Sequence, residues 1–289
     1  ADNAARLQAL QTGEIQGYDL VEPQDIATIK GDSNLTIIDR PAFNVAYVGF
    51  NMALKPLDDP KVREAIAYGL DRQSVVDKFY SGRAVVATQF MPPEVVGYAD
   101  DVPTYTYDPD KAKQILTDAG YTLPVPIEFW YPTDVSRPYM PDPKRNFEAF
   151  AASLNNSGFK VTAKSAPWNP DYLGQVGEGK VQVYLLGWTG DYGDADNFIG
   201  TFFQSPQKAW GTTTNPLTDV QKLLDDAEIE TEQSARESLY QEANRKIMTE
   251  LPGVPYAHSQ PALAFSAKVQ GYVASPTTNE SFATVTIEE

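Results

Sequence analysis

Residues 125–163 read VPIEFWYPTDVSRPYMPDPKRNFEAFAASLNNSGFKVTA. Two apolar runs rich in strand formers, VPIEFWY at 125–131 and FKVTA at 159–163, flank the segment NFEAFAASLNNSG at 146–158, which closes on a glycine. The pattern predicts strand, helix, strand, and a further strand is expected at 181–188, VQVYLLGW. Strands alternating with helices predict an α/β sheet with covering helices.

Working outward, Asp108 followed by Pro109 predicts a helix start before DKAKQILTDAG, with Ala112, Ile115, Leu116 and Ala119 as its apolar face and Gly120 as its stop. Asp59 with Pro60 gives the same signal for KVREAIAYGLDRQSVVDKFY, residues 61–80, expected as one helix because Val62, Ile66 and Leu70 recur every four residues. Upstream lie a helix capped by Asp2 and stopped at Gly13, a strand at 18–21, a short helix after Pro23, and strands at 35–39 and 44–50. Downstream, a helix over 234–251 carries Ala235, Leu239, Ala243 and Ile247 on one stripe, and residues 254–289 read as mostly extended.

The length of 289 residues fits about two domains and a sizeable core. Thirty-nine acidic against 23 basic residues give a net charge of −16, which repels phosphate backbones and argues against a nucleic-acid partner. No run approaches the ~18 apolar residues of a membrane helix. With no cysteine, disulfides, thiolate metal sites and cysteine nucleophiles are excluded.

Known chemical motifs are poorly matched. The sole histidine, His258 in VPYAHSQPA, has neither a G-x-S-x-G elbow nor a second histidine to work with, and reads as a hinge or loop residue. GQVGEGKV at 174–181 imitates a phosphate loop, but Val181 stands where a Ser or Thr must bind magnesium and the segment precedes a strand; it reads as a helix-to-strand turn. DYGDAD at 191–196 lacks the glycine and closing glutamate of a calcium loop. A carboxylate pair for glycoside hydrolysis stays open, because its spacing is spatial.

Two long stretches carry more weight: SRPYMPDPKRNFEAFAASLNNSGFKV from residue 136, and PWNPDYLGQVGEGKVQVYLLGWTGDYGDADNF from residue 167. With LQALQTGEIQGYDLV, NVAYVGFNMALKPLDDPKVREAIAYGLDRQSVV, YDPDKAKQILTDAG and ELPGVPYAH, met in order, the chain resembles the family 5 solute-binding proteins, the dipeptide and oligopeptide binders of ATP-driven importers. The resemblance implies an α/β, periplasmic-binding-protein-like type II (cluster C) fold with one complete lobe plus remnants of the other. On that footing residues 1–45 are a remnant of the first lobe leading into a hinge, 46–257 the second lobe, and 258–289 a return to the first, with hinge crossings near 43–50 and 254–262. Family members are considerably longer and begin with an export signal that often carries a lipid-modified cysteine.

The resemblance also assigns the site. An arginine in an R-P-Y segment pairs with the ligand carboxylate and an aspartate after a G-W-x-G turn with its ammonium, positions held here by Arg137 and Asp191. Tyr139 and Trp168 are expected to line the same pocket, and Trp188 either joins them or packs in the core. A guanidinium and a carboxylate held apart measure the length of a zwitterionic dipeptide. Asp194 and Asp196 are expected as turn and cap residues before NFIGTFF. The expectation is therefore a monomeric, non-enzymatic, extracytoplasmic binder without metal or cofactor, delivering a dipeptide or short peptide to a membrane permease; a single lobe would bind weakly. The rivals are an oligosaccharide binder of the same family, a carbohydrate-active hydrolase, and a structural or chaperone-like surface protein.

Overall fold

NVAYVGF carries no charge, and as the strand Asn44–Phe50 it is buried at all of its residues, as a strand covered on both faces must be. It is the third strand of the chain, β3. Before it come β1 (Gly17–Tyr18) and β2 (Leu35–Asp39); after it come β4 (Ala84–Val85), β5 (Val125–Thr133), β6 (Phe159–Pro167), β7 (Val183–Thr189), β8 (Gly253–Ser259), β9 (Ala262–Ser266) and the short pair β10 (Val269–Gln270) and β11 (Thr286–Ile287). The computed structural model describes residues 3–288, so the expected Asp2 cap lies outside the described residues.

Six strands form a mixed sheet in the order β4-β8-β3-β7-β5-β6. β3 runs antiparallel to β7 and β8, whereas β5 runs parallel to β6 and β7. The parallel β5–β6 pair needs a crossover, and the helix Pro143–Asn156 supplies it and packs on both strands. Phe147 from that helix stacks on Tyr131 at 4.4 Å and meets Phe129 edge-on at 5.2 Å. β1, β9 and β2 form a separate sheet of three strands.

The apolar interior divides the same way. One cluster of buried side chains runs from Phe43 to Ala257; a smaller one joins Leu10, Tyr18, Val21, Ile26 and Ile29 to Ala262 and Ala264. The chain passes between the two sheets twice, through residues 40–43 and through residues 260–261, and the Arg40 N–H donates to the Pro261 carbonyl at 2.9 Å, tying the passages together. Arg40 is itself buried and its guanidinium bonds Asp19 and Glu280.

Several expectations need correction. The helix read over 61–80 is two, Pro60–Gly69 and Arg72–Phe79. Leu70 is extended, and the Asp71 carboxylate accepts from Ser74 N–H at 3.1 Å, capping a new helix where one was expected to continue. The strand at 18–21 stops at Tyr18, because Leu20 takes a left-handed φ of 58°. The helix expected at 146–158 begins at Pro143, with Asp142 accepting from Arg145 N–H at 3.0 Å, a third Asp-Pro start. His258 stands in β8 rather than in a loop.

Candidate ligand site

β7 alternates its side chains, sending Tyr184, Leu186 and Trp188 to one face, and ends at the turn that carries Asp191. The turn is organised by Asn197, a buried residue that sequence reasoning missed. Its Oδ1 accepts the Asp191 N–H at 2.7 Å and the Trp188 indole N–H at 3.3 Å. Asp194 caps the short helix Ala195–Asn197 by accepting from Asp196 N–H at 3.0 Å, as expected for a cap residue. It also takes a two-pronged contact from Arg236, at 2.6 and 3.0 Å, which anchors the turn to the helix Gln233–Glu250. Burial works to raise the Asp194 pKa, and the hydrogen bonds from Arg236, the Asp196 N–H and Tyr240 together with the Arg236 charge outweigh it, leaving the carboxyl below its ordinary value. Asp196 accepts the Tyr192 hydroxyl at 2.9 Å.

The R-P-Y segment makes a tight reversal, in which Arg137 N–H donates to Met140 O at 3.1 Å and Met140 N–H donates to Arg137 O at 2.9 Å. Tyr139 is buried, its ring lying over Gly187, where an added Cβ would come within 2.3 Å of Tyr139 Cδ2. Burial raises the Tyr139 pKa against the opposing charge of Arg137, so the phenol stays neutral. The Arg137 guanidinium lies 5.2 Å from the centre of the Trp168 ring, a cation–π distance. Trp168 in turn stacks on Tyr172 at 6.1 Å.

All five expected site residues, Arg137, Tyr139, Trp168, Trp188 and Asp191, line one cavity of about 570 Å³. Trp188 therefore reaches the pocket while its indole N–H stays bound to Asn197. Tyr47, Gln207 and Trp210 line it too; their place depends on how β3 and the 200–212 segment pack against β7, which periodicity alone does not show. Among the described lining residues Arg137 is the one cation and Asp191 the one anion. Neither enters an ion pair among the described residues, and Arg137 Nε is buried without a hydrogen-bond partner. Arg137 is half-buried, so its lack of a counter-ion is costly and a ligand carboxylate would remove the cost, whereas Asp191 is exposed and open to a ligand from the solvent side. A cavity of about 620 Å³ near Gln24 and Asp142 is larger, but its Arg145 is already paired with Asp142 at 3.2 Å.

A mixed α/β body whose cavity sets one cation and one anion among aromatic walls suits a protein that binds a small solute. The chain belongs to the bacterial extracellular solute-binding proteins of family 5, whose profile, described as the middle part of the family, matches residues 1–210. It is 34% identical over 292 aligned positions to a dipeptide-binding protein of Escherichia coli, covering 99% of this chain and 54% of that one. It is 32% identical over 288 positions to heme-binding protein A of Haemophilus influenzae, covering 99% and 52%. The crystal structure of a dipeptide-binding protein from Pseudoalteromonas in complex with Met-Leu superposes with a TM-score of 0.88 at 25% identity, over 99% of this chain and 57% of that chain. The chain thus spans about half the length of the relatives it matches.

Proposed function

We propose that this protein is the substrate-binding component of a peptide importer, and that it captures a dipeptide or short peptide by its two ends. One observation carries the reading: a cavity of dipeptide scale whose described lining offers one cation, Arg137, and one anion, Asp191, neither of them in an ion pair among the described residues. Arg137 takes the carboxylate and Asp191 the ammonium, with Tyr139, Trp168 and Trp188 as walls. Residues 46–257 act as one lobe, and residues 1–45 and 258–289 contribute to the other. The two close on the ligand by bending at the paired crossings, and the closed form is handed to a membrane permease. The protein works outside the cytoplasmic membrane, and the family resemblance supports a lipid tether on the full-length protein. The similarity to a dipeptide-binding relative and to a structure holding Met-Leu supports this reading.

The alternatives fare worse on the same cavity. Aromatic walls suit a sugar, but Arg137 lines the cavity instead of facing away from it. A glycoside hydrolase needs two carboxylates across the cleft, and Asp191 is the one carboxylate among the described lining residues. Haem ligation by histidine is disfavoured, because His258 is buried in β8 with its Nδ1 held 2.7 Å from the Asn44 carbonyl.

The test is calorimetric titration of the full-length, two-lobed protein with dialanine, N-acetyl-dialanine and dialanine amide. Binding of dialanine with loss of both blocked forms is the expected result. Equal binding of all three, or binding of an oligosaccharide in their place, overturns the reading.

A further inference from the structure

The turn that carries Arg137 is held from behind by two buried hydroxyls on elements remote from it in sequence. Ser259, the last residue of β8, directs its Oγ to the Pro138 carbonyl at 2.6 Å. Its Oγ also lies 3.1 Å from Asn44 Oδ1, but that oxygen is already served by the Ser259 N–H at 3.1 Å, so the hydroxyl proton goes to the shorter bond. Tyr80 donates its hydroxyl to the next carbonyl, that of Tyr139, at 2.9 Å. Asn146 orients the phenol by donating its Nδ2–H to Tyr80 at 3.1 Å and to Tyr256 at 3.0 Å. Ser259, Tyr80 and Asn146 are all buried. The turn's own Arg137–Met140 pair uses the N–H and carbonyl of both those residues, so all four carbonyls from Arg137 to Met140 are held.

We propose that Ser259 and Tyr80 are positioning residues for Arg137, and that through them β8 and the C-terminal end of the helix Arg72–Phe79 together fix where the guanidinium stands in the cavity. This rests on the peptide reading given above. A guanidinium meets a carboxylate with two directed N–H bonds, so a small tilt of the turn spoils both, whereas a single ammonium on a flexible stem adapts. Neither residue is among the described lining of the Arg137 cavity; each hydroxyl bonds a carbonyl within the arginine's turn.

The experiment compares dialanine binding in Ser259→Ala, Ser259→Thr and Tyr80→Phe, each in the native and the Arg137→Lys background of the full-length protein, with the melting temperature of the free protein followed alongside. Loss of one such bond is expected to weaken dialanine binding about tenfold in Ser259→Ala and in Tyr80→Phe. Ser259→Thr, which keeps the hydroxyl, is expected to restore it. In the Arg137→Lys background the penalty should shrink below about twofold, because lysine does not depend on the turn's tilt. A merely structural role would lower the melting temperature and leave the same affinity penalty in both backgrounds, and that result overturns the inference. So does native-like binding by both Ser259→Ala and Tyr80→Phe. A wild type that binds dialanine and its amide alike instead overturns the peptide reading itself, and this inference with it.

Discussion

His258 makes the protein lose stability on mild acidification. The imidazole is 2% exposed in β8, its Nδ1–H donates to the Asn44 carbonyl at 2.7 Å, and its Nε2 is buried without a partner. Burial lowers its pKa from 6.5 to about 4, while the Asn44 bond pulls the other way. Protonation would place an unmatched N–H and a positive charge in the interior. Above pH 6.5 both folded and unfolded chains carry a neutral ring, and the residue contributes no pH dependence. As the pH falls through 6.5 the unfolded chain takes up a proton that the folded chain refuses, so stability drops until the folded ring also titrates near pH 4. The full loss is about 3 kcal/mol. His258→Asn keeps a donor toward Asn44 and removes the titration. Urea unfolding of the two proteins from pH 7.5 to 4 should show their stability difference shifting by roughly that amount in favour of His258→Asn as the pH falls. Because the chain has a single histidine, its imidazole resonance in proton NMR reports the folded pKa without assignment. A midpoint near 6.5, or parallel stability curves, would refute the reasoning.

Three further outcomes follow from the site. Gly187→Ala places a methyl 2.3 Å from the Tyr139 ring and 2.5 Å from the Val45 carbonyl, and overpacking of this kind should cost about 1–3 kcal/mol in denaturant unfolding and weaken dialanine binding. Asp191→Asn leaves the backbone bond to Asn197 in place, so stability should stay within ~0.5 kcal/mol while dialanine affinity falls by about 100-fold; a fall of similar size for N-acetyl-dialanine would count against the ammonium role. Residues 1–289 assayed alone should bind dialanine far more weakly than the two-lobed protein, and equal affinity in calorimetry would refute the division into lobes.

The amount of the fold legible in the sequence tracks how local its causes are. Asp59-Pro60 and Asp108-Pro109 announced their helices because cap and N1 residue act within one turn. The run at 44–50 needed only its β-branched and aromatic residues between turn signals. The break at Leu70 was hidden because Leu70 is buried although its backbone is extended, so the four-residue apolar spacing runs on through it. In the helix Gln233–Glu250 the buried stripe includes Tyr240 and Asn244, which the expected stripe left out; the Tyr240 hydroxyl accepts from Arg236, and Asn244 Nδ2 donates to the Gly97 carbonyl. The same holds at the site. Arg137 and Asp191 could be read from the segments around them, but Ser259 reaches the Arg137 turn across 121 residues and Tyr80 across 59, and no short pattern signals such a bond.

The two chain passages between the sheets lie side by side, each contains a proline whose ring fixes φ, Pro41 and Pro261, and a backbone hydrogen bond ties one to the other. A body held at two neighbouring points keeps rotation about the line through them and loses sliding and twist. On the two-lobed reading proposed above, movement of the small sheet against the large one would reduce to a swing about one axis, which would bring the opposing wall to Arg137 and Asp191 along one path.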